Sequence, residues 1–321
     1  MSEFQSLLAN DMEAYKAYRK ASGHWNCTYD KYLRLFDRYC FQRYPTDKAL
    51  NQDMVDGWCA QRPAETNNSC IARISGVLRF VEYLRMRGKT DVIEPDLPKR
   101  ERCTYMPHAF TVRELKNFFD ACDNLPSTPH TPPVLARKIT IPVFFRLLYS
   151  SGIRTCEARM LRPEDVDLDQ GILNILHSKG EAQHFVALHD TMLDLMRKYN
   201  AAIHSIYPGR QYFFPSPIHS SYYRQLWVSS NFRELWSMVN VSSAIAYDLR
   251  HNYAIQNINQ WVGHGFDFDA KLLYLSKSMG HSTLESTRYY YSIVPAMSDI
   301  IEDLSGEDFD DIVPEVDYEE S

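Results

Sequence analysis

Long hydrophobic runs are missing from this 321-residue chain. The longest, such as Ile139–Phe145 and Leu272–Leu275, fall far short of the ~20 apolar residues that a membrane-spanning helix needs. Met-Ser-Glu-Phe-Gln at the start has neither a basic segment nor an apolar core, so no secretion signal is expected. The seven cysteines (27, 40, 59, 70, 103, 122, 156) contain no CxxC pair and are odd in number. That argues against a disulfide framework and a zinc site, and for reduced thiols packed in cores. A cytosolic protein without membrane contact is the expectation. A basic excess is also missing, since the net charge is −6.

The charge is unevenly spread. Residues 302–321 hold ten acids and no Lys or Arg. Without them the body carries 35 basic against 31 acidic residues, or +4. A basic, phosphate-facing surface is thereby permitted but not demanded. The tail, 305–321, reads as a solvated acidic segment without fixed structure. It is open whether it is inert, covers a basic surface or binds a partner.

The first 93 residues read as a bundle of four short helices. Phe4, Leu7, Leu8, Met12 and Tyr15 recur at helical spacing, as do Tyr32, Leu33, Phe36, Tyr39 and Cys40 behind a Thr28 cap. Asn51 precedes a shorter helix with Met54, Val55 and Trp58. Ile71, Ile74, Val77, Leu78, Val81 and Leu84 make the last helix, stopped by Gly88. Arg73, Arg79 and Arg85 lie along that helix, and such a basic row is ordinarily a solvated face. Residues 94–110 are charged and proline-broken and read as a linker carrying Lys99 and Arg100.

Thr111-Val-Arg-Glu114 is a capping box that opens a second domain, 111–304. Gly171–His177 and His184–His189 have the pattern of two short strands joined by a turn that includes Lys179. The rest is mainly helical, with a loop at 208–221. The expected fold is mainly α, with one small antiparallel sheet in the second domain.

Four motifs stand in order along that domain: Ser-Gly-Ile-Arg-Thr-Cys-Glu (151–157), Lys179 in its turn, Tyr-Asp-Leu-Arg-His (247–251), and Gly-His-Ser with three tyrosines (280–291). Singly, each is ordinary. Together they resemble the tyrosine recombinases, the phage-integrase family. The resemblance implies Arg154 and Arg250 as the two catalytic arginines, Glu157 as an acid orienting the site, and Lys179 as the hairpin lysine. It implies His281 as the histidine of the last box and Tyr290, nine residues on, as the nucleophile. On chemistry alone Tyr289, Tyr290 and Tyr291 stay open, since successive residues point about 100° apart on a helix.

Two departures accompany the resemblance. Tyr247 stands where the family usually has a histidine, and a phenol with pKa near 10 donates hydrogen bonds but shuttles protons poorly at neutral pH. His251 would point to another face of the same helix and is expected to pack. The interval between Arg250 and His281, with His264, is several residues longer than usual.

The implied reaction is strand exchange at specific DNA sites through a 3′-phosphotyrosyl intermediate and a Holliday junction, with no metal, nucleotide or other cofactor. Double-stranded DNA is the implied partner, bound by a tetramer, with an accessory directionality factor and a nucleoid-associated location. The N-terminal bundle then resembles a core-binding domain, which gives Arg73, Arg79, Arg85, Lys99 and Arg100 a reason to face DNA. Residues 293–304 read as a short amphipathic segment, for which docking on a neighbouring protomer, as the resemblance implies, and docking on its own domain are both open. Two alternatives share the resemblance: a topoisomerase-like relaxer, and a DNA-binding protein that has lost catalysis.

Overall fold

The computed structural model describes residues 3–101, 105–126, 128, 130–176, 183–217, 221–261, 268–281, 283 and 285–288. It divides into two units, Met1–Tyr105 and Met106–Ser321. No described helix is long and apolar enough to cross a membrane.

Four helices make the first unit: α1 (Ala9–Ala21), α2 (Cys27–Arg43), α3 (Gln52–Cys59) and α4 (Asn67–Met86). Short polar side chains start three of them by accepting from backbone amides that have no partner inside the helix. Asn51 accepts from Met54 N and Thr66 from Ser69 N. Asn26, not Thr28, caps α2, taking the Thr28 and Tyr29 amides at 3.0 Å each. Inward stripes from all four helices meet around Met12, Tyr15, Phe36, Trp58 and Phe80. The expected linker is tied down along this unit as far as Glu101. Asn67 Nδ2 donates to Lys99 O at 2.9 Å, and Asn68 Nδ2 to Glu101 O at 2.8 Å.

Arg73 departs from its expected place on an exposed basic face. It is 2% exposed, and its guanidinium donates to the Trp58 and Ala60 carbonyls and to both oxygens of Glu65. It lies on the inward stripe of α4 with Val77, Phe80 and Leu84. Arg73 therefore ties α4 to the end of α3 and is removed from the DNA-facing set. Arg73→Ala is expected to destabilise the first unit by on the order of 3 kcal/mol, because the buried Trp58 carbonyl and Glu65 lose their donor. Urea unfolding checks this, and a midpoint within error of the intact chain would contradict it.

The second unit is built on α6 (Pro132–Ser151), against which α5 (Val112–Asp123), α8 (Asp190–Ile206) and α10 (Asp248–Trp261) pack. The Thr111–Glu114 capping box at the start of α5 is formed on both sides. Phe118, Phe145 and Phe232 form the middle of the core, and Phe232 stacks on Trp236 at 5.6 Å. The helices α7 (Thr155–Met160), α9 (Gln225–Val239), α11 (Phe268–Ser278) and α12 (Glu285–Arg288) complete the helical part.

One three-stranded antiparallel sheet runs β1 (Val166–Asp167), β2 (Ile172–Ile175), β3 (His184–Ala187), with Leu173 opposite Val186 and Ile175 opposite His184. Alternation sets its faces: His184 and Val186 turn inward, while Phe185 is 69% exposed. A second pair, β4 (Pro215–Ser216) and β5 (Ser221–Tyr222), starts in the stretch 208–221 expected as a loop and ends one residue past it. Burial pushes the Cys40, Cys59 and Cys122 thiols up to about 12, so they stay protonated at neutral pH and act as core filling.

Candidate active site

Two left-handed glycines bring the site together. Helix α6 ends at Gly152, whose φ is +65°. The chain then turns through Ile153 into Arg154, the residue that starts α7. Glu157, one turn on and buried, accepts the Arg154 backbone amide at 2.7 Å and its Nη1 at 2.6 Å. The guanidinium of Arg154 is thus held by a carboxylate that itself cannot move away into water.

The second glycine is Gly280, with φ +62°. Its amide donates to Lys277 O and that of His281 to Ser276 O, both at 3.0 Å, which is the paired bonding of a Schellman helix end. This turn holds His281 just beyond α11 and exposes carbonyls to the two arginines. Arg154 Nη2 donates to Gly280 O at 2.7 Å. Arg250, 1% exposed on α10, donates from Nη2 to Met279 O at 2.6 Å and from Nη1 to Gly152 O at 2.6 Å. Arg250 therefore bridges the turn before Arg154 and the turn before His281.

His281 completes the cluster. Its Nε2 lies 3.0 Å from Arg250 Nη2, and its Nδ1 lies 2.7 Å from Thr287 Oγ1 on α12. A guanidinium nitrogen can only donate, so Nε2 accepts and the ring proton sits on Nδ1. Burial and the neighbouring Arg250 and Arg154 charges lower His281 to about 4, in keeping with a neutral ring. An unfolded histidine protonates near 6.5, so the stability from neutral His281 is present above that pH and is lost as pH falls toward 4. The expected result is an imidazole NMR signal for His281 that keeps its neutral position from pH 8 down to about 5. A midpoint near 6.5 would show that the ring is not held neutral.

Among the other expected site residues, Tyr247 is 39% exposed and lies edge-on to His251, with ring centroids 4.9 Å apart. His251 is buried, and burial lowers its pKa, which fits a neutral packing group. Lys179 and Tyr290, with Tyr289, Tyr291, His264, residues 293–304 and the acidic tail, lie outside the described residues. In the first unit Arg79, Arg85, Lys99 and Arg100 are exposed, with Arg79 paired to Glu82 and Arg85 to Glu94.

Two neighbours escaped the motif reading. Thr287 is fully buried against His281. Its only sequence signal is its place six residues past that histidine. His184 packs over Gly280, where a methyl group would come within 2.5 Å of its Cε1 and 3.0 Å of Arg154 Nη1. Its signal is weaker still, an inward position on a short strand.

The profile of the phage integrase family matches residues 109–296, well over half of the chain. The chain belongs to that family. It is thus a tyrosine-type recombinase, an enzyme of DNA breaking and rejoining in site-specific recombination. Relatives agree along most of the length. A Sinorhizobium fredii protein named as an integrase/recombinase, y4rE, is 26% identical over 303 residues, covering 90% of this chain and 93% of that one. The tyrosine recombinase XerD of Rhizobium meliloti is 23% identical over 69% of each chain. The crystal structure of the XerH site-specific recombinase in a post-cleavage complex with its difH substrate shares the fold. It has a TM-score of 0.57 at 15% identity, over 87% of this recombinase and 78% of that chain.

Proposed function

We propose that this recombinase cleaves and reseals DNA through a 3′-phosphotyrosyl intermediate, with Arg154, Arg250 and His281 as the phosphate clamp. The observation that carries the reading is the convergence of those three side chains on the single turn Met279–Gly280–His281. Attack on a phosphodiester gathers negative charge on the equatorial oxygens of phosphorus. Two guanidiniums fixed beforehand can meet that charge without reorganising when it develops.

The remaining roles follow from the chemistry. Tyr290 gives up its phenolic proton to solvent as it attacks phosphorus, and its oxygen replaces the 5′ oxygen, which leaves with a proton from Lys179. The phosphotyrosyl bond preserves the energy of the phosphodiester, so a new 5′ hydroxyl reseals the strand without a nucleotide and the clamp calls for no metal. Tyr247 contributes a hydrogen bond from its phenol and no proton transfer. Strand exchange between two sites through a Holliday junction requires a tetramer, for which residues 293–304 supply the contact and an accessory factor the direction. The first unit grips DNA, with Arg79, Arg85, Lys99 and Arg100 on phosphates. Surface ion pairs such as Arg79–Glu82 are worth about 0–1 kcal/mol, so a phosphate displaces them at little cost.

The test is covalent trapping on candidate attachment-site duplexes nicked so that the released 5′ fragment diffuses away. A protein–DNA adduct that survives denaturation is the expected product. DNA that is bound but never joined to protein would sink the reading and leave a DNA-binding protein without catalysis.

A further inference from the structure

We infer that Thr287 is a positioning residue whose hydroxyl serves either neutral tautomer of His281, and so lets His281 become a donor when a phosphate enters. The inference rests on the reading above, in which His281 serves the phosphate clamp. In the free site Arg250 Nη2 donates to His281 Nε2, the Nδ1 proton faces Thr287 Oγ1 at 2.7 Å, and that hydroxyl acts as acceptor. This tautomer offers a phosphate oxygen nothing, because its Nε2 presents a lone pair.

A phosphate between Arg250 and His281 takes the Arg250 hydrogen bond for itself. Nε2 then faces an anion and must carry a hydrogen. A neutral ring has one N–H only, so Nδ1 must give up its proton to solvent as Nε2 takes one from it. Bare Nδ1 then needs a donor, and a hydroxyl is a group that can reverse its role by rotating about one bond. Thr287 is fully buried, which fixes the oxygen at its distance while leaving the hydrogen free to turn. The same side chain serves both states without movement of the helix. A second proton on the ring is disfavoured by its burial beside the charges of Arg250 and Arg154. The ring therefore starts neutral, and a change of tautomer supplies the donor without a net gain of a proton.

The experiment uses the full chain with ¹⁵N-labelled histidine, the variants Thr287→Ser and Thr287→Val, and adduct formation on the nicked duplex at saturating DNA. In the free protein the ring ¹⁵N shifts of His281 are expected to show the proton on Nδ1. Thr287→Ser keeps the hydroxyl and stays within about fivefold of the intact rate. Thr287→Val keeps the shape but removes the hydroxyl that faces Nδ1, and its rate falls about 10- to 100-fold while DNA affinity changes less than threefold. A valine variant as fast as the serine variant, or free His281 with its proton on Nε2, overturns the inference. Because the tautomer is read without DNA, an intact chain that makes no adduct would sink the functional reading alone. The nitrogen shifts of the free chain would still overturn this one if they put the proton on Nε2.

Discussion

Arg250→Lys is expected to leave the recombinase folded and bound to DNA, and to lower the rate of adduct formation by about 100- to 1,000-fold. The magnitude follows from geometry. Arg250 reaches Gly152 O, Met279 O and His281 Nε2 at once through two nitrogens of one rigid plane. A lysine ammonium keeps the charge but is a single point on a flexible stem, and cannot bridge two turns in fixed directions. The turn before Arg154 and the turn before His281 then lose their common brace, and both members of the clamp drift. Alanine should do worse. It removes the donor from the buried carbonyls of Gly152 and Met279, at about 1–3 kcal/mol each, so lost stability and lost catalysis would arrive together. Lysine separates the two. Rate and melting temperature should be measured on both variants; a lysine variant within tenfold of the intact rate would mean that Arg250 braces the fold and does not serve the phosphate.

How much of this was legible beforehand differs by level. Helices with repeating inward positions, such as those carrying Tyr15, Phe36 and Phe80, are written in the spacing of apolar residues. Their ends are less firmly written: Asn26 and Thr28 are both good caps two residues apart, and only backbone geometry selects Asn26. Strands of two residues, like β1, β4 and β5, are too short to leave a period-two pattern. Arg73 was readable but misread. It lies in phase with Val77 and Phe80, and a charged residue on an apolar stripe signals a buried pair such as its bond to Glu65.

The site follows the same logic. The order of Arg154, Arg250 and His281 along the chain points to the three side chains that the fold brings onto one turn. Their partners are another matter, because most are backbone carbonyls of Gly152, Met279 and Gly280, and a carbonyl has no letter in the sequence. What the sequence does carry is the reason those carbonyls are available. Only glycine enters the left-handed region freely, and at Gly280 a side chain would also strike His184. Thr287 was hidden for a related reason: a threonine on a short helix is commonplace until its hydroxyl is placed against the histidine ring.

The nucleophile gives the sharpest expected effect. Tyr290→Phe removes one oxygen atom from the attacking group, so no phosphotyrosyl bond can form, and adduct yield should fall on the order of 10⁴-fold or more while DNA binding is untouched. Tyr289→Phe and Tyr291→Phe are the necessary companions. The chemistry of a phenol does not separate the three, and the nine-residue spacing from His281 is what selects Tyr290. Trapping on the nicked duplex with the three variants side by side resolves this. Loss of adduct in Tyr290→Phe alone assigns the nucleophile. Loss in Tyr291→Phe instead would place the attacking oxygen one residue further round, opposite the same clamp, and would mean that this chain departs from its family at the nucleophile as well as at Tyr247.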